Sequence, residues 1–391
     1  MTYNIGVAGC GVAGLTVAKL LCDAGHKVVV FDQMETPKPV GSGLVLQETG
    51  LTILSQMGLT DAVYSYGNKI ERLFGKSNGR VVLDVAYSAL QPDAHGLAIH
   101  RSSLFRILFD AARISGVTFE FGKPLQSVHD GKMHFDAGQK STRFDLVIDA
   151  CGVRSPLTGA KNTILPFGAL WATLDWPEKS TSFDKYTLEQ RYVSARKMVG
   201  VLPIGRVPGS KVQKVTFFWS LKHTDYENWQ TAGLSSWKHE VTELWPETIP
   251  FLSQVKDPTQ LVMAKYAHHT LKRVYEKNVV HIGDSWHAAS PQLGQGANMA
   301  LLDSFALVEA MKHNQDLSSA MYQFQKYRSY HVRLYQILAR AFTPVYQSDS
   351  QVLPFLRDIF VPKIAQIWPF PKLMALMVAG KMGRPLKRLD L

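Results

Sequence analysis

The chain has 391 residues, which at roughly 150 residues per domain predicts two or three domains. Hydrophobic residues make up 46% of it and charged residues 19%, so wholesale disorder is excluded. The 43 Lys and Arg against 32 Asp and Glu give a formal net charge of +11. That surplus permits nucleic acid, an anionic membrane or acidic ligands as partners without choosing among them. Three cysteines cannot form a disulfide framework and fit a reducing, cytoplasmic environment, and no apolar run approaches the ~20 residues of a transmembrane helix.

The N-terminal segment has the pattern of a βαβ unit. Tyr3 to Ala8 predicts a short buried strand, and Lys27 to Phe31 predicts a second one. Between them, Leu15 to Ala24 has the apolar spacing of a helix that ends at Gly25. A lipoprotein-like signal is the alternative interpretation, but the segment lacks the basic start and the continuous apolar stretch of a signal peptide.

Between the first strand and the helix lies a loop of the form Gly-x-Gly-x-x-Gly. Gly9 permits the tight turn, Gly11 lets a pyrophosphate approach the backbone, and Gly14 lets the helix and the strand pack closely. Asp32 follows Gly14 by 18 positions, close to the ~20 expected for a carboxylate that binds a ribose hydroxyl. The loop therefore predicts a dinucleotide site at a helix N-terminus, but it does not distinguish NAD from FAD.

The rest of the chain divides by pattern. Apolar runs predict buried strands at 145–149 and 278–282 and helices at 103–114 and 298–311. From about 165 to 268, alternating and aromatic-rich segments favour an antiparallel sheet, which a strand at 80–86 would join. The last fifty residues are helical in parts and interrupted by prolines.

The most specific motif runs from Gly283 to Asn298. It has the sequence Gly-Asp-Ser-Trp-His-Ala-Ala-Ser-Pro-Gln-Leu-Gly-Gln-Gly-Ala-Asn. This run resembles the G-D-x-x-H-x-x-x-P-x-x-G-Q-G-x-N signature of FAD-dependent monooxygenases of the p-hydroxybenzoate hydroxylase and ubiquinone-hydroxylase type, the class A flavoprotein hydroxylases. The resemblance covers most of the chain, including the βαβ unit, Gly41 to Leu44, His100-Arg101 and Asp145 to Ser155.

The resemblance implies an α/β fold. A Rossmann-like FAD-binding domain would carry an inserted antiparallel-sheet substrate domain and a helical C-terminal region. The FAD-binding domain would comprise residues 1–72, 96–164 and 269–345, the substrate domain residues 73–95 and 165–268, and the C-terminal segment residues 346–391.

The chemistry of the long run agrees with a flavin site. Asp284, at the end of a strand, can accept hydrogen bonds from ribityl hydroxyls. Pro291 stiffens a turn, and the resemblance places it and Gly294 beside the flavin ring. The N–H groups of residues 294–296 and the dipole of the helix starting near Asn298 can stabilise negative charge on the reduced flavin.

The resemblance also implies contacts from two earlier segments. Arg101 would meet the phosphate or ribityl portion of the cofactor, and Gly43 and Leu44 would pass beside its isoalloxazine ring. The candidate cofactor-binding residues are Gly9, Gly11, Gly14, Asp32, Gly43, Leu44, Arg101, Asp284, Pro291, Gly294, Gln295, Gly296 and Asn298. No side chain is assigned as catalytic, because the chemistry belongs to the flavin. His287 is expected to be a structural imidazole, and no histidine spacing predicts a metal site.

One position departs from the family pattern. Cys151 stands where the family has an aspartate that helps hold both FAD and the nicotinamide donor. A thiol with an ordinary pKa near 8.5 does not replace that charge at neutral pH. Cys151 is expected to be a small buried residue, because no C-x-x-C partner is present.

The resemblance implies an enzyme with FAD as cofactor and NADH or NADPH as electron donor. It would hydroxylate a small aromatic or lipophilic substrate with dioxygen through a flavin C4a-hydroperoxide. The alternatives are a flavoprotein of the same fold without hydroxylation, namely a halogenase or an isoprenoid reductase, and a non-catalytic cofactor-binding membrane protein. Scattered Lys and Arg without an RNA-binding aromatic signature disfavour nucleic acid as a partner.

The C-terminus combines positive charge with apolar residues. From Arg357 to Leu391 there are seven Lys or Arg and two Asp, beside Trp368 and several Phe, Ile and Leu. This composition is typical of an interfacial membrane segment and gives the hypothesis of peripheral contact with an anionic membrane. The favoured interpretation is that these helices pack on the flavin domain with their charges in water, since prolines interrupt any continuous amphipathic helix.

Overall fold

The computed structural model of the protein describes residues 1–37, 41–159, 163–177 and 182–391. A six-stranded sheet is assembled from separated segments of the chain. In spatial order its strands are β20 (Tyr275–Glu276), β21 (Val279–His281), β12 (Leu146–Asp149), β1 (Asn4–Ala8), β2 (Lys27–Phe31) and β8 (Thr118–Glu120), numbered along the chain. All neighbours are parallel except β20 and β21. The four strands predicted here from apolar runs are confirmed.

Helices cover one face of this sheet. They are α1 (Val12–Asp23), α2 (Glu48–Gln56), α3 (Thr60–Tyr66), α4 (Arg101–Ile114) and α7 (Gly296–Lys312). Helix α1 packs against both α4 and α7. Val7, Val30 and Ile148 are fully buried on the face toward these helices. On the other face, Phe31 and Val147 pack in a separate cluster with Met133 and Phe135, so the parallel strands are covered on both faces.

The second large element is a seven-stranded sheet, predicted from the aromatic middle of the chain. In spatial order its strands are β18 (Val262–Ala264), β14 (Phe167–Asp175), β17 (Lys214–Lys222), β16 (Lys197–Gly205), β15 (Thr187–Val193), β5 (Arg72–Ser77) and β6 (Arg80–Ala86). Every neighbouring pair is antiparallel except β15 and β5. Helices α5 (Tyr226–Leu244) and α6 (Ile249–Leu252) pack on one face through a cluster that includes Phe217 and Trp237.

Three small sheets complete the fold, and the third of them packs on the second face of the six-stranded sheet. They are formed by β3 (Gly43–Leu46), β7 (Gly96–His100) and β4 (Asn68–Ile70); by β13 (Thr163–Ile164), β19 (Ala267–Thr270) and β22 (His287–Ala288); and by β11 (Lys140–Arg143), β10 (Lys132–Phe135) and β9 (Leu125–His129). Strand β3 pairs with β7, which brings the two segments around Gly43 and His100 side by side.

The C-terminal region is helical, as predicted. It consists of α8 (Leu317–Tyr346), α9 (Val352–Ile364) and α10 (Phe370–Val378). Residues Ala375, Val378 and Ala379 are buried against the second face of the seven-stranded sheet, in a cluster that contains Phe218 and Ile204. Within the described ranges, none of the helices combines the length and the apolarity needed to cross a bilayer. The domain boundaries given above stay a prediction.

Candidate flavin site

The glycine loop lies between β1 and α1. Gly9 has a φ of +107°, a backbone conformation that favours glycine, and a Cβ there would collide with the carbonyl oxygen of Ala150. A Cβ at Gly14 would collide with the carbonyl oxygen of Gly9. By contrast, a Cβ at Gly11 would meet no atom of the described chain within 4 Å. The fold itself therefore requires Gly9 and Gly14, whereas Gly11 leaves the start of α1 open to a ligand.

Asp32 is fixed beside this loop. One carboxylate oxygen accepts the N–H of Cys10 at 2.6 Å, and the other accepts the N–H of Met34 at 2.9 Å. The half-buried side chain thus lies next to the open edge at Gly11. The end of β2 and the N-terminus of α1 meet here because neighbouring parallel strands end at the same edge of the sheet.

Asp284 lies at the same edge, after β21. A Cβ at Gly296 would be 3.8 Å from its Oδ1, so the carboxylate is close to the N-terminus of α7. Asp284 is exposed to solvent but lies in a recess, where desolvation by the surrounding protein raises its pKa against the opposing charges of His287 and Arg101. Among the described residues, no side chain caps the first turn of α7. The free N–H groups of that turn and the exposed acid form a polar corner suited to hydroxyl and anionic groups.

The turn between Pro291 and α7 is built from its own backbone. Gly294 has a φ of +61°, the left-handed conformation that favours glycine. Asn298 accepts the N–H of Gln47 at 2.8 Å and donates to the carbonyl oxygens of Val45 and Gly294. The side chain of Asn298 therefore joins β3 to the turn and points into the protein.

Two buried glutamines complete this support. Gln295 donates to the carbonyl oxygen of Val378 at 2.6 Å, which attaches the turn to α10. Gln47, to which sequence reasoning assigned no role, accepts the hydroxyl hydrogen of Tyr87 at 2.6 Å. Any contact of Gln295 with a cofactor in this arrangement would come from its backbone rather than from its side chain.

Arg101 and β3 form the third side of the site. The Arg101 side chain runs over Gly41, whose φ of +113° and lack of a Cβ leave room for it. Its positive charge opposes the burial that raises the pKa of Asp284 and of Tyr266. The Gly43 N–H donates to Thr216 Oγ1 at 2.9 Å, which ties the start of β3 to the seven-stranded sheet.

An aromatic wall faces this loop from the seven-stranded sheet. Phe218 lies two positions after Thr216 on β17 and therefore on the same face, and Trp171 is its cross-strand partner on β14. The two rings stack with centroids 4.7 Å apart. The Trp171 indole N–H donates to the Tyr266 hydroxyl at 2.9 Å, and burial raises the pKa of Tyr266. Sequence reasoning did not single out Tyr266, because no local pattern links it to Trp171.

His287 belongs to a buried charge network rather than to the exposed surface of the site. Its Nε2 lies 2.6 Å from Asp303 Oδ2, which also accepts the N–H of Gly283 at 2.9 Å. The Arg328 Nε donates to the other Asp303 oxygen at 2.7 Å, and both side chains are fully buried. Burial alone would raise the pKa of Asp303, but His287 and Arg328 lower it to about 2. The structural role predicted for His287 agrees with this partner, which sequence reasoning missed.

Cys151, which stands where the family has an aspartate, lies beside the carboxylate of Asp149. Asp149 Oδ1 accepts the Cys151 N–H at 3.0 Å, and its Oδ2 lies 2.7 Å from His281 Nδ1 and accepts the Ser155 hydroxyl. Burial, followed by the Asp149 charge, raises the pKa of the Cys151 thiol. The thiol is therefore neutral, as expected from the sequence. In the part of the chain that the structure describes, no group of three or more His, Cys, Asp or Glu could hold a metal ion.

The comparisons with known proteins agree with this geometry. A family model described as an FAD binding domain matches residues 2–316. A probable 2-heptyl-3-hydroxy-4(1H)-quinolone synthase of Rhodococcus erythropolis is 25% identical over 344 residues, 83% of each chain. The 6-hydroxynicotinate 3-monooxygenase of Pseudomonas fluorescens is 26% identical over 348 residues, 82% of this chain and 86% of that one. A solved structure of a 2-methyl-3-hydroxypyridine-5-carboxylic acid oxygenase variant has the same fold, with a TM-score of 0.80 at 19% identity over 99% of this chain and 98% of that one.

The residues present fit FAD. The open edge at Gly11, the fixed carboxylate of Asp32, and the exposed Asp284 beside the uncapped first turn of α7 offer separate places for phosphate, ribose and ribityl groups. FAD is therefore the cofactor, and the predicted FAD-dependent monooxygenase is confirmed. The chain belongs to the FAD-binding domain family.

Proposed function

We propose that the enzyme hydroxylates a small, flat aromatic or lipophilic molecule, with NADH or NADPH as the electron donor. The observation that carries the proposal is the wall of Trp171, Phe218 and Tyr266, which lies on the sheet face whose Thr216 binds Gly43 at the start of β3. The half-buried Trp171 ring, stacked on the buried Phe218 ring, provides a flat apolar surface, and the Tyr266 hydroxyl provides a polar group at its edge. Of the relatives named above, one is a probable synthase of a hydroxyquinolone and the other a monooxygenase of a hydroxynicotinate, so a hydroxylated nitrogen heterocycle is the substrate class we favour.

The candidate residues identified in the sequence would bind different parts of FAD. Bound FAD supplies hydride acceptance and oxygen activation. Asp32 would hold a ribose hydroxyl, Asp284 would hold ribityl hydroxyls, and Arg101 would neutralise a phosphate. The N-terminus of α7 would stabilise negative charge on the ring, because its first N–H groups have no side-chain cap within the described residues.

The chain's own contribution to the reaction is positioning and exclusion of water. The hydrogen bond between Gly43 and Thr216 joins the start of β3 to the sheet that carries the aromatic wall. Substrate bound against the half-buried Trp171, with Phe218 buried behind it, would then be held in a fixed relation to β3, and the apolar rings would keep water from the reacting atoms.

The reaction is tested by following NADH and NADPH oxidation over a panel of phenols, quinols and hydroxylated nitrogen heterocycles in ¹⁸O₂. We expect peroxide without substrate, and a product carrying one labelled oxygen atom with the right substrate. A product that is reduced or halogenated and carries no label would instead support a flavoprotein of this fold without hydroxylation.

Two glycines of the loop should respond differently to replacement by alanine, one through FAD binding and the other through folding stability. Gly11→Ala should leave folding intact, because the residue has ordinary extended backbone and a new methyl group meets nothing among the described residues. It should weaken FAD binding at least about tenfold, which corresponds to ~1.4 kcal/mol, because the methyl group enters the space for the pyrophosphate. Gly14→Ala should lower the free energy of unfolding by about 1–3 kcal/mol or more, because the methyl group collides with the Gly9 carbonyl.

The measurements are urea unfolding of the apoprotein and flavin fluorescence titration of each variant. Gly58→Ala is not a suitable control, because Gly58 has a φ of +71° and an alanine there would strain the backbone. Ser55→Ala, at the exposed C-terminal end of α2, is the control instead. Normal FAD affinity in Gly11→Ala would exclude this edge as the pyrophosphate site.

Cys151→Asp tests the nicotinamide donor. If the missing carboxylate weakens donor binding, the variant should lower the apparent KM for NAD(P)H or leave it unchanged. The new carboxyl group would lie beside Asp149 and near Asp32, both of which already act on the Cys151 thiol, so its pKa should be raised and its benefit limited. Cys151→Ser is the matched control without added charge. A large rise in KM for the aspartate variant alone would show that this position serves another purpose.

We further propose a cytoplasmic enzyme in peripheral contact with a membrane. The free state of all three cysteines agrees with a reducing compartment. The support for membrane contact lies in the C-terminal helices and is independent of the flavin site.

A further inference from the structure

We infer that α9, α10 and the turn between them form a docking surface for an anionic lipid bilayer, with an adjoining groove for a lipid acyl chain. This inference rests on the proposed membrane contact and not on the proposed reaction. We call the surface the C-terminal platform. It consists of the exposed apolar residues Val352, Leu353, Phe355, Leu356, Phe360, Ile367, Trp368 and Leu373.

The first observation is the concentration of exposed apolar side chains. The platform holds eight of the twenty large apolar side chains that are exposed among the described residues, within a stretch of 22 positions. Trp368 is 81% exposed, Phe355 62% and Phe360 54%. Isolated exposed apolar residues are common, but a cluster of this kind with aromatic members marks an interaction surface.

The second observation is an apolar groove that opens on the platform. Its volume is about 330 Å³, and its lining includes Leu338 and Phe342 of α8, Val361 of α9, and Phe370 and Met374 of α10. Leu373 both lines the groove and is 46% exposed, so the groove and the platform are continuous. Flexible methionine side chains in the groove, Met374, Met377 and Met382, suit an apolar chain without fixed shape.

The third observation identifies the partner by charge. From Ile359 to Leu389 there are six Lys or Arg and no Asp or Glu. Five of these cations are exposed: Lys363, Lys372, Arg384, Lys387 and Arg388. A second copy of the chain would present the same positive charge and be repelled, whereas anionic lipid headgroups are attracted to basic residues beside apolar ones.

The platform is firmly attached to the rest of the protein. Arg357 on the inner side of α9 is buried and donates to the carbonyl oxygens of Val345 and Ser194. On α10, the carbonyl oxygen of Val378 accepts a hydrogen bond from the side chain of Gln295, which belongs to the turn between Pro291 and α7. The interpretation favoured from the sequence, that these helices pack on the flavin domain, thus describes their inner faces, while their outer faces remain apolar and exposed. Docking would therefore hold the turn between Pro291 and α7 in a fixed orientation to the bilayer.

The test is co-sedimentation of the full-length holoenzyme with vesicles of phosphatidylcholine alone and with about 30% phosphatidylserine, at low and high salt. We expect binding that needs phosphatidylserine and weakens at high salt. Lys363→Glu with Lys372→Glu should lower the partition coefficient at least about 25-fold, at about fivefold for each basic residue. Lys132→Glu with Lys211→Glu, which reverses two exposed lysines elsewhere, is the matched control and should lower it far less.

A second double variant tests the exposed apolar side chains of the C-terminal platform. Phe360→Ser with Trp368→Ser should lower partitioning at least about tenfold. Ile114→Ser with Val262→Ser, at exposed apolar positions outside the platform, should have little effect. All four residues are more than half exposed, so retained FAD absorbance and unchanged unfolding are expected and confirm that each variant is folded.

Quenching by lipids brominated on the acyl chain locates the contact. We expect it to reduce tryptophan fluorescence in the parent and to have less effect in Trp368→Phe. The inference is overturned if the platform variants and their controls bind vesicles equally, if binding ignores lipid charge and salt, or if the platform variants change only the oligomeric state.

Discussion

Asp303→Leu should lower the free energy of unfolding by about 3–5 kcal/mol, because it leaves the Arg328 guanidinium buried without its ion partner. The Gly283 N–H and His287 lose an acceptor in the same step. Arg328→Met alone should also destabilise, because it leaves the Asp303 charge with His287 only. The double variant should cost clearly less than the sum of the two, since no unpaired buried charge of either sign remains between these positions.

Urea unfolding of the apoprotein measures this double-mutant cycle. Asp316→Leu, which removes an exposed acid that caps α8, is the matched control and should cost about 0.5–2 kcal/mol. Additive losses in the cycle would show that Asp303 and Arg328 do not depend on each other. A loss below that of the Asp316 control would show that water or another group replaces the carboxylate.

The same network predicts a loss of stability in acid. The folded-state pKa of Asp303 is lowered to about 2 from 3.8, so the unfolded chain binds more protons below pH 4. Its contribution is fully present above the unfolded pKa and is lost as the pH falls through the folded value. Burial, and then the Arg328 charge, also lowers the pKa of His331 well below 6.5, which adds a loss of the same sign below that pH. Stability measured between pH 7 and pH 2 should fall less steeply in Asp303→Leu than in the parent.

The sequence predicted the four inner strands of the six-stranded sheet because they are buried on both faces. Such strands are continuous apolar runs, for example Lys27 to Phe31, that local pattern identifies. The glycine loop was equally clear, since close approach of backbone to backbone allows only glycine at Gly9 and Gly14. The parallel pairing of β15 with β5 could not be predicted, because it joins segments more than a hundred positions apart and leaves no mark in either.

The sequence predicted the motif residues that line the site, but not the hydrogen bonds that hold these residues in place. Asn298 was expected at a helix start near the cofactor, and the structure shows its side chain joined to the backbone of Gln47, a residue left without a role. The partnership of His287 with Asp303 was invisible, because an acid in the middle of an apolar helix has no local signature of its partner. Contacts made across elements depend on the packing of whole helices, which spacing along one segment does not encode.

Asp284→Ala should weaken FAD binding by about 1.5–3 kcal/mol, which corresponds to roughly a 10- to 150-fold rise in Kd. The carboxylate lies beside the N-terminus of α7 in a recess that is open to solvent, and the structure shows it no hydrogen-bond partner among the described residues. Folding therefore does not use it, and the unfolding curve of the apoprotein should be unchanged. The contrast with Asp303 follows from burial, because Asp303 is fully buried in the middle of α7 whereas Asp284 is open to solvent.

Flavin fluorescence titration of the purified apoprotein gives the Kd directly. Asp284→Asn, which keeps one acceptor oxygen and loses the charge, should fall between the parent and the alanine variant. Asp93→Ala, at an exposed acid in the loop before β7, should bind FAD as the parent does. If Asp284→Ala also binds FAD as tightly as the parent, the ribityl contact is made elsewhere and the backbone N–H groups of α7 alone hold that end of the cofactor. If it instead unfolds at lower urea, Asp284 supports the turn and not the ligand, and the polar corner would have to be reassigned.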